Sequence, residues 1–208
     1  LAVDRAGLVG ADGPTHHGCQ DVGYLTQIPG MTVLCPACYG ELREMLRAAL
    51  AMDGPVAVRY PRGTEGRQYP DWRGESASVL RQGRDATLVS YGVMTDELLS
   101  AAETLAERGF EAEVIKLHRI APLDPEPVLD SVRRTGRLLV LEDCNENGSI
   151  GQQLAAALAQ AGVKAEQVSL LNLKQSFAPQ GTVAQLRRLM GIDAEAVVHA
   201  FSGAEPRS

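Results

Sequence analysis

Short apolar runs alternate with helix-period segments along almost the whole of this 208-residue chain, and that alternation leaves it few architectures. Residues 31–34, Met-Thr-Val-Leu, read as a strand. Pro36 then opens a helix in which Leu42, Met45, Leu46 and Leu50 recur at helical spacing. Residues 55–60 form the next strand, ended by Pro61-Arg62-Gly63. Two strands joined through a helix make a βαβ unit, so their sheet is parallel. The pattern resumes with strands expected at 86–91, 112–117, 137–142 and 168–173. Helices are expected at 95–107, 125–134, 150–161 and 183–190. The fold class is therefore α/β, with mostly parallel sheets and flanking helices. Residues 1–66 are the C-terminal part of one domain. Residues 67–84, polar and rich in Gly, Arg and Ser, are a linker, and 85–208 form an independent doubly wound domain.

The chain is 45% hydrophobic and 22% charged, enough apolar material for a substantial core. A net charge of −6 argues against a nucleic-acid or anionic-membrane partner. No apolar run approaches the roughly 18 residues that span a bilayer, and no secretory leader pattern is present, so the expected location is cytoplasmic. Four cysteines in a chain of this length do not make a disulfide scaffold. Cys35-Pro36-Ala37-Cys38 has the CxxC spacing, but a structural zinc site needs four ligands and only one such pair exists. Two reduced thiols at a strand-to-helix junction is the favoured reading. Leu1-Ala2-Val3-Asp4 reads as the tail of a buried strand, which creates the expectation of further polypeptide upstream.

The stretch richest in chemistry runs from Asp4 to Gly18 and follows that strand end, where open parallel sheets place their ligand sites. Its glycines let the backbone approach a ligand closely or take positive φ. Arg5 offers a planar fork suited to phosphate. Asp12 and His16 could position or move a proton near neutral pH. On physics alone this is an anion-binding, acid–base loop, and a merely structural turn with buried polar residues is the alternative.

The same stretch, DRAGLVGADGPTHHG, resembles nearly residue for residue the DRAGxVGxDGxTHxG signature of the 1-deoxy-D-xylulose-5-phosphate synthases, thiamine-diphosphate enzymes of transketolase type. Further similar segments follow in the family's order. Tyr24-Leu25 with Ile28-Pro29 resembles YLRxIP, and residues 41–46 resemble the ELRxML helix. Residues 54–63 resemble GPxAxRYPRG, Pro122-Leu123-Asp124 matches its PLD, and Phe177 to Gly181 resembles FIPQG. Other transketolase-type proteins lack the combined DRAG and RYPRG signatures. The resemblance implies the end of a transketolase-like pyrimidine-binding domain followed by a transketolase C-terminal domain.

It also implies an activity: condensation of pyruvate with D-glyceraldehyde 3-phosphate and release of CO2, feeding isoprenoid, thiamine and pyridoxal phosphate synthesis. Carried over position by position, Arg5 and Arg62 bind the phosphate of glyceraldehyde 3-phosphate. Asp12 and His16 line the reacting end of the acceptor or the pyruvate carboxylate, with His16 the better candidate for handling the proton. His17 stands where the family usually has Gln, and Asn147 where it has a Gly-rich run, so Asn147 is expected to tolerate a left-handed backbone. The family's cofactors are thiamine diphosphate and Mg2+, anchored by a GDG motif and a later Asn, and activated by a Glu upstream of the DRAG segment. This sequence contains no GDG. The expected partners are therefore a missing N-terminal portion and a second copy in a homodimer, with the chain inactive alone. The alternative is a non-catalytic or partner-dependent transketolase-like subunit.

Overall fold

The computed structural model describes residues 1–204 and 206. The first part runs β1 (Ala2–Val3), α1 (Asp21–Leu25), β2 (Thr32–Leu34), α2 (Tyr39–Ala51) and β3 (Val56–Arg59). Strands β2 and β3 pair in parallel across α2, as the βαβ spacing requires, and β1 adds to the other side of β3, also in parallel. Helix α2 begins at Tyr39 and not at Pro36. Cys38 stays extended (φ −141°, ψ 168°), and the Glu41 carboxylate folds back to accept the Ala37 N–H at 2.8 Å.

The second part continues through β4 (Ala77–Arg81), β5 (Ala86–Tyr91), α3 (Thr95–Ala106), β6 (Ala112–Leu117) and β7 (Arg119–Ala121). It then runs through α4 (Glu126–Thr135), β8 (Arg137–Leu141), α5 (Ile150–Gln160), β9 (Gln167–Leu171), α6 (Val183–Met190) and α7 (Ala194–Ala200). Its sheet has the order β4-β6-β5-β8-β9, parallel except for the β4–β6 pair. Period-2 alternation sends each strand's side chains to two cores. Leu88, Val114, Leu139 and Leu141 pack with α3 and α7 on one face. Val89, Ile115, Leu138 and Val140 pack with α4 and α5 on the other.

Two sequence expectations need correction. Residues 67–84 are not wholly a linker, because 77–81 form β4, an antiparallel edge strand with only partly buried side chains. Nor is the second part independent of the first. Strand β7 leaves its own sheet and pairs antiparallel with β2, giving the first sheet the order β1-β3-β2-β7. Val22, Leu25, Val33 and Ala57 of the first part share one core with Val89, Ile115 and Val140 of the second. A three-residue strand with no periodicity of its own leaves no local signal, so this crossing was invisible in the sequence.

Buried charges lie along the seam between the parts. Lys116 of β6 donates to the Glu41 carboxylate of α2, both side chains being fully buried. The Tyr69 ring covers the ammonium, its centroid 3.9 Å away. Burial pulls the Lys116 ammonium below its ordinary pKa and Glu41 opposes that pull. Beside them burial pushes His118 down to about 4, leaving a neutral ring whose Nε2 contacts Ser78 Oγ at 2.8 Å.

Removing one member of such a pair leaves the other charge buried without a counter-ion, at a cost of about 3–5 kcal/mol. Lys116→Met should therefore lower the thermal midpoint of the chain by roughly 6–20 °C at 2–4 °C per kcal/mol. Adding Glu41→Gln, which keeps an acceptor for Ala37, should restore more than half of that loss in circular dichroism melts. A single variant as stable as the parent would remove the pair from the list of structural determinants.

Candidate functional site

The Asp4–Gly18 loop leaves the C-terminal end of β1 and is closed at its neck by backbone bonds. Gly7 N–H donates to Gly18 O at 2.9 Å, Gly18 N–H reaches Arg5 O at 3.0 Å, and Ala6 N–H reaches Tyr60 O at 3.0 Å. Arg5 takes a left-handed φ of 58°, uncommon for a residue with a side chain and found most where a ligand clamp over-determines the backbone. Tyr60 lies in the RYPRG stretch after β3, so the neck ties both arginine-bearing segments to adjacent strand ends.

Three of the four residues expected to form a site come together there. Arg62 donates to Asp12 Oδ2, and Arg5 Nε lies 3.9 Å from the same oxygen. Arg5 also donates to Asp4 at 2.9 Å, and its Nε has no hydrogen-bond partner within the protein. The side chains of Arg5, Arg62 and Asp12 are 39%, 55% and 31% exposed, so the cluster is open to a solute. Arg62 also lines a cleft of about 280 Å³ with Ala6, Leu8, Asp96, Asp143 and Arg187. His16 stands apart from this cluster. Its ring is exposed and its Nδ1 contacts Thr15 Oγ1 at 3.0 Å.

Beneath the loop is a group that sequence reasoning missed. Arg59, the last residue of β3, is 4% exposed. Its Nε donates to Asp21 Oδ2 at 2.9 Å, and its NH2 donates to Gly18 O at 3.1 Å and Asp143 Oδ1 at 3.3 Å. Its guanidinium lies 5.6 Å from the centroid of the Tyr91 ring. Burial works against the charge, but Asp21 and Asp143 outweigh it and hold Arg59 protonated more firmly than an ordinary arginine. The available signal was an arginine inside an apolar strand, which only a buried counter-ion can satisfy.

Next to Asp143, the fully buried Glu142 caps α5. It accepts N–H groups from Ile150 at 2.8 Å and Gly151 at 2.9 Å and the Tyr91 hydroxyl at 3.0 Å. Burial raises its pKa and those donors counter the rise. The turn leading to α5 takes its positive φ at Gly148 (75°), so Asn147 does not carry the left-handed position expected of it. All four cysteines are free and buried. Burial pushes Cys35 up to about 12, so its thiol is not poised to react.

A phosphate monoester fits two guanidinium forks set around a displaceable carboxylate. Among the described residues, no cluster of three or more His, Cys, Asp or Glu side chains is placed to hold a metal ion. Among them, too, no helix is long and apolar enough to cross a membrane.

A two-part α/β chain with a glycine-rich loop at the end of a parallel strand is a ligand-binding architecture that many enzyme families share. The transketolase pyrimidine-binding domain model matches residues 1–66 and the transketolase C-terminal domain model matches residues 75–197, and the chain belongs to the transketolase family. Within it the sequence is similar to 1-deoxy-D-xylulose-5-phosphate synthases. The Geobacter sulfurreducens protein 1-deoxy-D-xylulose-5-phosphate synthase 1 is 41% identical over 208 residues, 96% of this chain and 32% of that protein. The Thermomicrobium roseum synthase is 42% identical over 206 residues, 95% of this chain and 32% of that protein. The chain thus spans about a third of the length of these relatives. Among solved structures, a split-gene transketolase described as an inactive β4 tetramer superposes with a TM-score of 0.85 at 28% identity, over 98% of this chain and 65% of that one. Transketolase from Campylobacter jejuni gives 0.72 at 17% identity over 97% and 31%, a likeness of fold.

Gly7 has φ +70°, and a Cβ there would overlap the Asp143 carboxylate. Gly7→Ala should therefore push Asp143 away from Arg59 and destabilise the chain by at least about 2 kcal/mol in urea unfolding. A change under about 0.5 kcal/mol would show that the Asp143 contact does not constrain the loop.

Proposed function

We propose that this chain supplies the acceptor-binding side of a 1-deoxy-D-xylulose-5-phosphate synthase, which joins pyruvate and D-glyceraldehyde 3-phosphate with loss of CO2. The observation that carries the reading is the Arg5–Asp12–Arg62 cluster, whose Arg62 lines the cleft and whose members come from the two segments that carry the DRAG and RYPRG resemblance. Arg5 and Arg62 bind the phosphate of the acceptor. The phosphate replaces Asp12 between them, because a dianion gains more than one carboxylate from two permanent cations. Asp12, released, turns toward the reacting end of the substrate. His16, on the exposed shoulder of the same loop, hands protons to and from the acceptor's carbonyl oxygen as the carbon–carbon bond forms.

Thiamine diphosphate supplies the carbanion chemistry when bound. On this reading its diphosphate and Mg2+ are held by the portion of the relatives' length that this chain does not span. The active species is then the assembled synthase, cytoplasmic and dimeric, with residues 1–66 as the end of its pyrimidine-binding domain and the chain from β4 onward as its C-terminal domain. A second reading, a partner-dependent subunit encoded apart from its diphosphate-binding half, draws on the likeness to the split-gene transketolase. Size-exclusion chromatography of the cell extract separates the two. Co-elution with a distinct GDG-bearing chain supports the subunit, and a single long polypeptide supports the ordinary synthase.

In the assembled protein Arg62→Ala should raise KM for glyceraldehyde 3-phosphate roughly 10- to 100-fold, the loss of one charge-assisted contact. KM for pyruvate should move far less, and equal effects on both substrates would sink the phosphate assignment. His16→Ala should lower kcat by a factor on the order of 10² or more. An unchanged kcat would make His16 a surface residue and move proton handling elsewhere.

A further inference from the structure

His17, next to the residue assigned to proton handling, is 8% exposed and spans the joint between the two parts of the chain. Its Nδ1 accepts the Val9 N–H at 3.1 Å. Its Nε2 lies 3.1 Å from the Pro179 carbonyl oxygen. An amide N–H can only donate and a carbonyl oxygen can only accept, so the two contacts together fix one tautomer. The ring is neutral, Nδ1 is the bare acceptor and Nε2 carries the hydrogen. Two further contacts draw the same loop onto the same segment. Gln180 Nε2 donates to Ala11 O at 2.7 Å. Gly10 packs so tightly that a Cβ would lie 2.8 Å from Gly181 O. Beyond Gly181, Thr182 starts α6 with a reciprocal capping box to Gln185, and α6 brings Val183 and Arg187 to the cleft that Arg62 lines.

We propose that His17 is a positioning residue: as a neutral ring it clamps the loop bearing Arg5, Asp12 and His16 to the 179–181 turn, and so sets the phosphate fork against the cleft. The proposal rests on the functional reading above for what the loop binds, but the clamp itself is a statement about two hydrogen bonds. An imidazole at this position has one property that an apolar side chain lacks and an amide shares: an acceptor and a donor on opposite ends of a planar group. A glutamine can accept from Val9 through Oε1 and donate to Pro179 through Nε2. A leucine fills the space and makes neither bond.

The test compares the parent, His17→Gln and His17→Leu. In the 208-residue chain, the 15N–1H correlation of the His17 ring should show the Nε2-protonated neutral tautomer, and the Val9 amide should be protected from hydrogen exchange. Protection should persist in His17→Gln and fall at least about tenfold in His17→Leu, as expected for a lost buried hydrogen bond. In the assembled synthase, His17→Leu should raise KM for glyceraldehyde 3-phosphate about tenfold and lower kcat as well, because the same loop carries His16, and His17→Gln should restore both. An Nδ1-protonated ring, parental Val9 protection in His17→Leu, or a His17→Gln variant as impaired as His17→Leu would each overturn the clamp. Arg62→Ala serves as the control for the functional reading. If its KM is parental, the phosphate assignment fails, and the tautomer and amide measurements still decide the clamp. Melting curves of all three proteins establish that each is folded at the assay temperature.

Discussion

The structure depends on one guanidinium. Arg59 is buried at the point where the last strand of the first part, the neck of the glycine-rich loop and the Asp143 segment of the second part meet. Each of its bonds goes to a different element: Asp21 at the start of α1, Gly18 O at the loop neck and Asp143 after β8. A buried cation admits no slack, because losing a partner exposes it to the cost of uncompensated burial. The seam therefore has one arrangement. Around this point the apolar core shared by both sheets contributes bulk stability, and Arg59 ties α1, the loop neck and the segment after β8 to the end of β3.

The joint between the parts is secured by interactions of different kinds that report on different surfaces. Strand β7 pairs backbone to backbone with β2 and aligns the two sheets. The Lys116–Glu41 pair sits under the Tyr69 ring and pins α2 to β6, with the crossing segment 64–75 laid over it. Asn145 N–H donates to Cys19 O at 2.8 Å and holds the segment after Asp143 against the residue following the loop. These contacts join the two walls of the cleft to one another through backbone and buried-charge partners. Such support is what a site built from loop residues requires, since loops keep productive geometry only when a scaffold over-determines them.

The alternation of apolar runs made the two parallel sheets legible, and residues 86–91, 112–117 and 183–190 match the boundaries of β5, β6 and α6. Such segments signal themselves because burial on both faces or one helical stripe leaves a periodic trace. Elements stabilised by distant partners leave none. Strand β7 is three residues long, β4 is half exposed, and the short helices α1 and α7 carry too few turns to show a period. The candidate site divides along the same line. Arg5 and Asp12 lie in a segment whose composition already speaks of anion binding, Arg62 is reached only through the resemblance of residues 54–63, and the fold brings the three together. Arg59, Asp143 and the His17 clamp draw their meaning from residues far away in sequence, up to 162 positions for His17 and Pro179. No local pattern encodes that.

The chain's charges fall into two populations with different physical prospects. Arg59, Asp21, Asp143, Glu41 and Lys116 are each no more than 5% exposed, and their partners are fixed. A solute cannot compete for them, because entering would strip a buried ion of its counter-ion before any replacement contact forms. Arg5, Asp12 and Arg62 sit at 31–55% exposure, where water screens their mutual attraction and an ion pair contributes little. Such a cluster can exchange its internal carboxylate for an external phosphate at small cost. The buried set therefore determines where the loop stands, and the exposed set remains free to respond to what arrives. The buried set lies on strands and helices beneath the loop's neck and along the seam, and the exposed set on the loop and on the segment after β3, so the site has a fixed position and an adjustable surface. Stability and ligand response thus fall to different residues.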